Sequence, residues 1–238
     1  MQALNIKNFG LKQIRMMQLC FKDKASEADT IEKLIVPVLS RLYGDSLYFE
    51  RASRATRGER SKHWDLHYYH LEKDGIHKKD LIGVMECKAT DKVLFNRVSS
   101  NGSWNYMAAV ESVWNSYVSN GGKTHGTQAP TTVKSFVEKG FSSANADCLL
   151  QVWINARRLD GLKAKRILWS NGITWAVFKN GFFTSGGNPP LSMKLSKNNN
   201  GVSSNQYVDV VEFPKGTDAD AIDAWLACYN ALRKLLKL

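Results

Sequence analysis

The chain has 238 residues, 43% of them hydrophobic, which suffices for one sizeable core and argues against disorder. Lysine and arginine outnumber aspartate and glutamate by 33 to 22, giving a net charge of +11 and a sequence pI near 9.5. This balance favours a polyanionic partner over an acidic small substrate, although charge alone does not separate nucleic acid from an anionic membrane.

At the N-terminus, "MQALNIKNFGLKQIRMMQLC" lacks the continuous apolar core of a signal peptide, and no run approaches the roughly 18 apolar residues of a membrane span. A cytoplasmic protein is therefore expected. The four cysteines, Cys20, Cys87, Cys148 and Cys228, form no C-x-x-C pair and read as reduced, mostly core residues.

"SEADTIEKLIVPVLSRLYGD" is the first amphipathic helix that the spacing predicts, with Ile31, Leu34, Ile35, Val38, Leu39 and Leu42 on one face. Ser26 is its N-cap and Gly44 its stop, while Pro37 should bend it or set its first half apart. Three strands follow in "SLYFERA", "SKHWDLHYYHLE" and "DLIGVMECKA". From Thr90 to about Phe141 the pattern loosens into an expected insertion at 90–141. Within it "WNYMAAVESVWNSYV" has helical spacing, so Trp104, Tyr106, Trp114 and Tyr117 read as its core before they read as base-stacking residues.

A further helix is expected in "SSANADCLLQVWINARRLDG", capped by Ser142 or Ser143. Asn171-Gly172 between two apolar runs predicts a β-hairpin, "GNPPLSMKLSKNNNGVSSNQ" a polar loop, and "YVDVVEF" a strand. A helix at about 218–238 closes the chain, acidic at its start and basic at its end, as the helix dipole favours. The order implies one α/β or α+β layered domain spanning 1–238.

Strand alternation puts Glu86 and Lys88 on one face and Cys87 on the other. On the preceding strand Trp64, Leu66 and Tyr68 alternate with His63, Asp65 and His67, so Asp65 emerges opposite the apolar set. Two carboxylates and an ammonium on adjacent strands suit Mg²⁺, a hard cation that keeps water and substrate phosphate among its oxygen ligands. They suit phosphodiester hydrolysis, in which a lysine positions the nucleophile or stabilises developing charge. Glu27, four residues before Ile31, shares the packed face of the first helix, where a carboxylate needs a positive partner. The plainer reading of Glu86 and Lys88 is a strand-end ion pair worth at most about 1 kcal/mol if exposed.

Together, the Glu27 helix, "WDLHYY", "VMECKA", "QVWINARRL" and "ILWSNGITWAVF" resemble the PD-(D/E)XK nucleases, specifically the N-terminal nuclease domain of type I restriction endonuclease R subunits. The resemblance covers about 25–90 and 145–180. It implies a restriction-endonuclease-like core, a mixed central sheet flanked by helices, and a Mg²⁺-dependent endonuclease acting on DNA, with Mn²⁺ able to substitute. By position it implies that Asp65 and Glu86 bind the metal with the Cys87 main-chain carbonyl, and that Glu27 is an accessory ligand through water. It further implies that Lys88 is the catalytic lysine and that Gln151 lies near the scissile phosphate. Trp64 replaces the motif's proline, and Asn155 stands where the family tends to show tyrosine. No helicase motor follows, so no ATP-driven translocation is implied.

Arg51, Arg54, Arg57 and Arg60 recur every three residues, with Lys62 after them, and lead into the Asp65 strand. They read as DNA-backbone contacts, against the alternative of a solvated charged loop. His63 and His67 would stand about 13 Å apart along a strand, too far to share zinc. Restriction, phage defence or mobile-element DNA processing is the expected setting. A non-cleaving nucleic-acid-binding module and a structure-selective nuclease, whether junction resolvase or RNA-acting, are the alternatives. Two cuts in a duplex favour a homodimer, with the C-terminal helix one candidate surface.

Overall fold

A computed structural model describes residues 2–44, 47–51, 64–72, 78–92, 152, 164–180, 182, 195–197, 202–215 and 219–236. Four α-helices, one π-helical turn and an eight-stranded mixed sheet are the elements among the described residues. Helix α1 (Gln2–Lys22) buries Gln13, Ile14, Met17 and Cys20, a three-to-four-residue stripe. Ser26 then caps α2 (Glu27–Thr30), its Oγ accepting a hydrogen bond from the Asp29 N–H at 3.1 Å.

The expected disturbance around Pro37 takes a definite form. Ile31–Ile35 is a π-helical turn, and the Val36 N–H reaches back to the Ile31 carbonyl. Proline cannot donate to the ladder and crowds the preceding turn, so the wider turn hands the chain to α3 (Val36–Tyr43) with Pro37 near its start. Gly44, at φ 76°, ends α3.

Strands β1 (Leu47–Arg51), β2 (Leu66–Leu71) and β3 (Lys78–Cys87) form an antiparallel meander. Strand β4 (Arg166–Ser170) pairs with β3 in parallel, which requires a long crossover, and the chain between them supplies the length. Strand β5 (Thr174–Phe178) returns antiparallel to β4. The sheet continues through β8 (Val208–Glu212), β7 (Val202–Ser204) and the two-residue β6 (Ser196–Lys197), in the order β1-β2-β3-β4-β5-β8-β7-β6. Helix α4 (Ala219–Leu235) packs on α1 and β8.

Leu66, Tyr68, Met85, Cys87, Leu168, Trp175, Val177 and Val211 share a core with the helices. The alternate positions, including Val84, Glu86, Ile167, Trp169, Ala176 and Val210, are also buried, so both faces of the central strands are shielded from solvent. Full burial of each large aliphatic in this core, such as Leu34, Ile35 and Leu39, contributes about 1.5–3 kcal/mol. No helix among the described residues is long and apolar enough to cross a membrane.

Several expectations need correction. Helix α1 was not anticipated, and the expected polar loop contains β6, β7 and the buried Leu195 and Val202. Thr90 is buried and tied down by its hydroxyl to the Cys20 carbonyl at 3.1 Å, and the expected insertion beyond Lys92 lies outside the described residues. The hairpin is present, but of its Asn-Gly pair only Gly172 has a positive φ, 82°. Asn171 instead caps the turn, its Oδ1 accepting from the Ile173 and Thr174 N–H groups at 3.0 and 2.7 Å. The apolar face of α4 is spent on Ile222, Trp225, Tyr229 and Leu232 inside the core, which removes it as the dimer surface. The expected helices around 104–117 and 142–161 lie outside the described residues, apart from the buried Val152.

Candidate active site

The register of β2 and β3 builds the site. Leu66 pairs with Met85, so the preceding Asp65 meets the following Glu86 across the ladder. Asp65 is fixed there by the Cys87 N–H, which donates to its Oδ2 at 2.7 Å. Lys88 continues the parallel pairing, its N–H donating to the Ser170 carbonyl at 2.9 Å. Its ammonium bonds to Glu86 Oε1 and lies 3.8 Å from Asp65 Oδ2 and 3.6 Å from Glu27 Oε2. Three elements thus deliver Glu27, Asp65, Glu86 and Lys88 to one place.

Glu27 opens the helical run whose π-helical turn sets Leu34 on the β4–β5 hairpin. At Gly172 a Cβ would stand 2.6 Å from Leu34 Cδ1, so this close approach needs glycine even apart from the positive φ. The Asn171 side chain adds a tie that sequence reasoning missed. Its Nδ2 donates to the Lys92 carbonyl at 2.6 Å and the Thr90 carbonyl at 3.4 Å, anchoring the segment that carries Lys88. The Asn-Gly signal suggested a turn and gave no hint of this second role.

Side-chain exposure grades from 0% at Glu86 through 17% at Lys88 and 25% at Asp65 to 43% at Glu27. The cluster therefore opens to solvent on the Glu27 side. Burial pushes the Glu86 carboxyl well above the usual carboxylate range; Asp65 adds to the rise and Lys88 opposes it. Asp65 and Glu27 are also raised, chiefly by burial and against the pull of Lys88. Glu86 Oε2 is buried without a hydrogen-bond partner among the described residues. Among the described residues three acidic groups face one ammonium, an excess that protonation or a second cation relieves.

These observations decide how far the donors fit a metal. Among the described residues no three His, Cys, Asp or Glu side chains form a ready metal cluster. Mg²⁺ needs only one or two carboxylates, however, with water and phosphate oxygens completing its shell. Asp65 and Glu86, one with a partnerless buried oxygen, fit that need, and Glu27 fits an outer position. The Cys87 thiol does not: it points into the helix-side core, and burial, with Asp65 and Glu86 next, pushes it well above its usual range. Only the Cys87 main chain can contribute.

Of the other expected site residues, Arg51 ends β1 opposite Leu66, which brings the start of the basic run beside the Asp65 backbone. Arg54, Arg57, Arg60, Lys62 and Gln151 lie outside the described residues. No family model, curated protein or solved structure matches the chain.

Proposed function

We propose that this chain is a Mg²⁺-dependent deoxyribonuclease on a restriction-endonuclease-like core, hydrolysing DNA phosphodiester bonds in restriction, phage defence or mobile-element DNA processing. The convergence of Glu27, Asp65 and Glu86 on Lys88 carries this reading. The excess of 11 positive charges over the whole chain supports a polyanionic substrate, because a net acidic site needs help to attract one.

Asp65 and Glu86 would hold the Mg²⁺, with the Cys87 carbonyl beside them and Glu27 acting through water. When bound, the ion supplies charge neutralisation at the scissile phosphate and lowers the pKa of water for in-line attack. Glu86 would hold the ion as a carboxylate, and Lys88 would donate hydrogen bonds to the charge that develops on the phosphate oxygens. Glu27, at the solvent side, accepts a hydrogen bond from the incoming water and orients it.

The absence of a three-residue metal cluster among the described residues favours one second reading, a module that binds nucleic acid without cutting it. Incubation of plasmid and single-stranded DNA with and without Mg²⁺, beside Asp65→Ala, separates the two. Cleavage that needs both Mg²⁺ and Asp65 is expected. DNA binding without cleavage in Mg²⁺ or Mn²⁺ would favour the module.

A further inference from the structure

A second polar site lies on the helical side of the molecule. Arg41 of α3 and Arg233 of α4 line a cavity of about 490 Å³ together with Tyr229, Asn230 and, from α1, Asn5. Its remaining lining, Ile6 and Leu42, is apolar, and no acidic residue among the described ones lines it. Among the described residues neither arginine makes an ion pair. Exposed arginines are normally solvated, but these two come from different helices and are directed to one concavity over an apolar floor. In such a setting their attraction for an anion is less screened than on an open surface.

Tyr229 marks where the two charges meet. Its ring is buried and stacked on Trp225, with centroids 5.3 Å apart and planes 17° from parallel, so its position is set by the core. Burial raises its hydroxyl pKa while Arg41 and Arg233 both pull it down, so each guanidinium lies within electrostatic reach of that oxygen. Planar guanidiniums match tetrahedral oxyanions bidentately, and the amides and phenol offer donors for the remaining oxygens. The volume falls in the range of small-ligand pockets.

We propose that the Arg41–Arg233–Tyr229 cavity is a phosphate-binding site, taking the phosphate group of a small phosphorylated ligand or of a nucleic-acid backbone. It is separate from the carboxylate cluster. Glu27 and Arg41 sit near opposite ends of one helical run, roughly 20 Å apart at about 1.5 Å per residue. The proposal therefore does not depend on hydrolysis at Lys88.

The test titrates the full chain with sodium pyrophosphate, ATP and a short DNA duplex at constant ionic strength, by calorimetry, beside the Arg41→Gln/Arg233→Gln double variant. Both arginines are exposed, so the variant should fold, and an unchanged circular dichroism spectrum and unliganded Tm check this. Pyrophosphate or ATP binding that weakens at least about tenfold in the variant supports a small phosphorylated ligand. Weakening of duplex binding alone assigns the site to a nucleic-acid backbone. Arg41→Lys/Arg233→Lys, which keeps the charge but loses the fork, should fall between the two. Equal affinity of wild type and double variant for all three probes overturns the site.

Discussion

Two lysines of this molecule sit at strand ends among acidic partners, and they are opposites in charge balance. Lys179, after β5, donates to Ser204 Oγ at 3.2 Å and the Asn205 carbonyl at 2.8 Å, and pairs with one carboxylate, Asp209, at 2.8 Å. Ser204 in turn bonds to Asp209, so the charges are matched and the donors have acceptors. Among the described residues Lys88 faces three carboxylates, one of them fully buried with an oxygen that has no hydrogen-bond partner there. A balanced pair staples two parts of the sheet together. An unbalanced one keeps a local excess of negative charge that folding alone does not explain, and that a cation can relieve.

The largest expected effects come from removing each lysine. Lys88→Ala should lower Mg²⁺-dependent DNA cleavage at least about 100-fold, the size of losing one donor to developing oxyanion charge. Lys179→Ala should leave cleavage intact and cost about 1 kcal/mol in urea unfolding, because the pair is partly exposed. Equal activity losses from both would erase the distinction. Next, Gly172→Ala forces a methyl group against Leu34 in a left-handed backbone, at a cost of about 1–3 kcal/mol. It should disturb Glu27 and the Lys88 cluster together and lower the Tm by several degrees, whereas a Tm unchanged within error would mean that the π-helical turn does not rest on the hairpin.

A subtler difference is expected in the pH dependence. The folded pKa of Glu86 lies above its unfolded value, so between the two the folded state holds the extra proton. That contribution is complete below the ordinary value of 4.5 and is lost as pH rises through the folded one. Glu86→Gln carries no such proton, and its stability relative to wild type should grow as pH rises from 4.5 toward neutral. Urea unfolding at a series of pH values measures this, and parallel profiles for the two proteins would contradict the burial of a raised carboxyl. The smallest effect belongs to the basic run. Arg54→Ala with Arg57→Ala should reduce the salt slope of DNA binding by about one per lost phosphate contact, uniformly across sequences. An unchanged slope would make the run a solvated surface.

Much of the site was legible because its parts obey short-range rules. Alternation set Asp65, Glu86 and Lys88 on one face, and helix periodicity aimed Glu27 inward. The site's supports were less visible. Asn171 acts through hydrogen bonds to carbonyls about 80 residues earlier, which no local pattern encodes. Helix α1 was missed because its buried stripe includes Gln13 and Gly10, while the apolar Leu19 and Phe21 stay exposed, blurring its periodicity. The short β6 and β7 exist through pairing with each other and with β8 and have little intrinsic strand character.

The claim that surplus carboxylates around Lys88 receive a hard cation is tested most directly by Mn²⁺ binding, followed by electron paramagnetic resonance without any DNA present. Wild type and Lys179→Ala should take up Mn²⁺ alike, and Glu86→Gln should bind it at least about tenfold more weakly. Indistinguishable Mn²⁺ binding by wild type and Glu86→Gln would contradict the account.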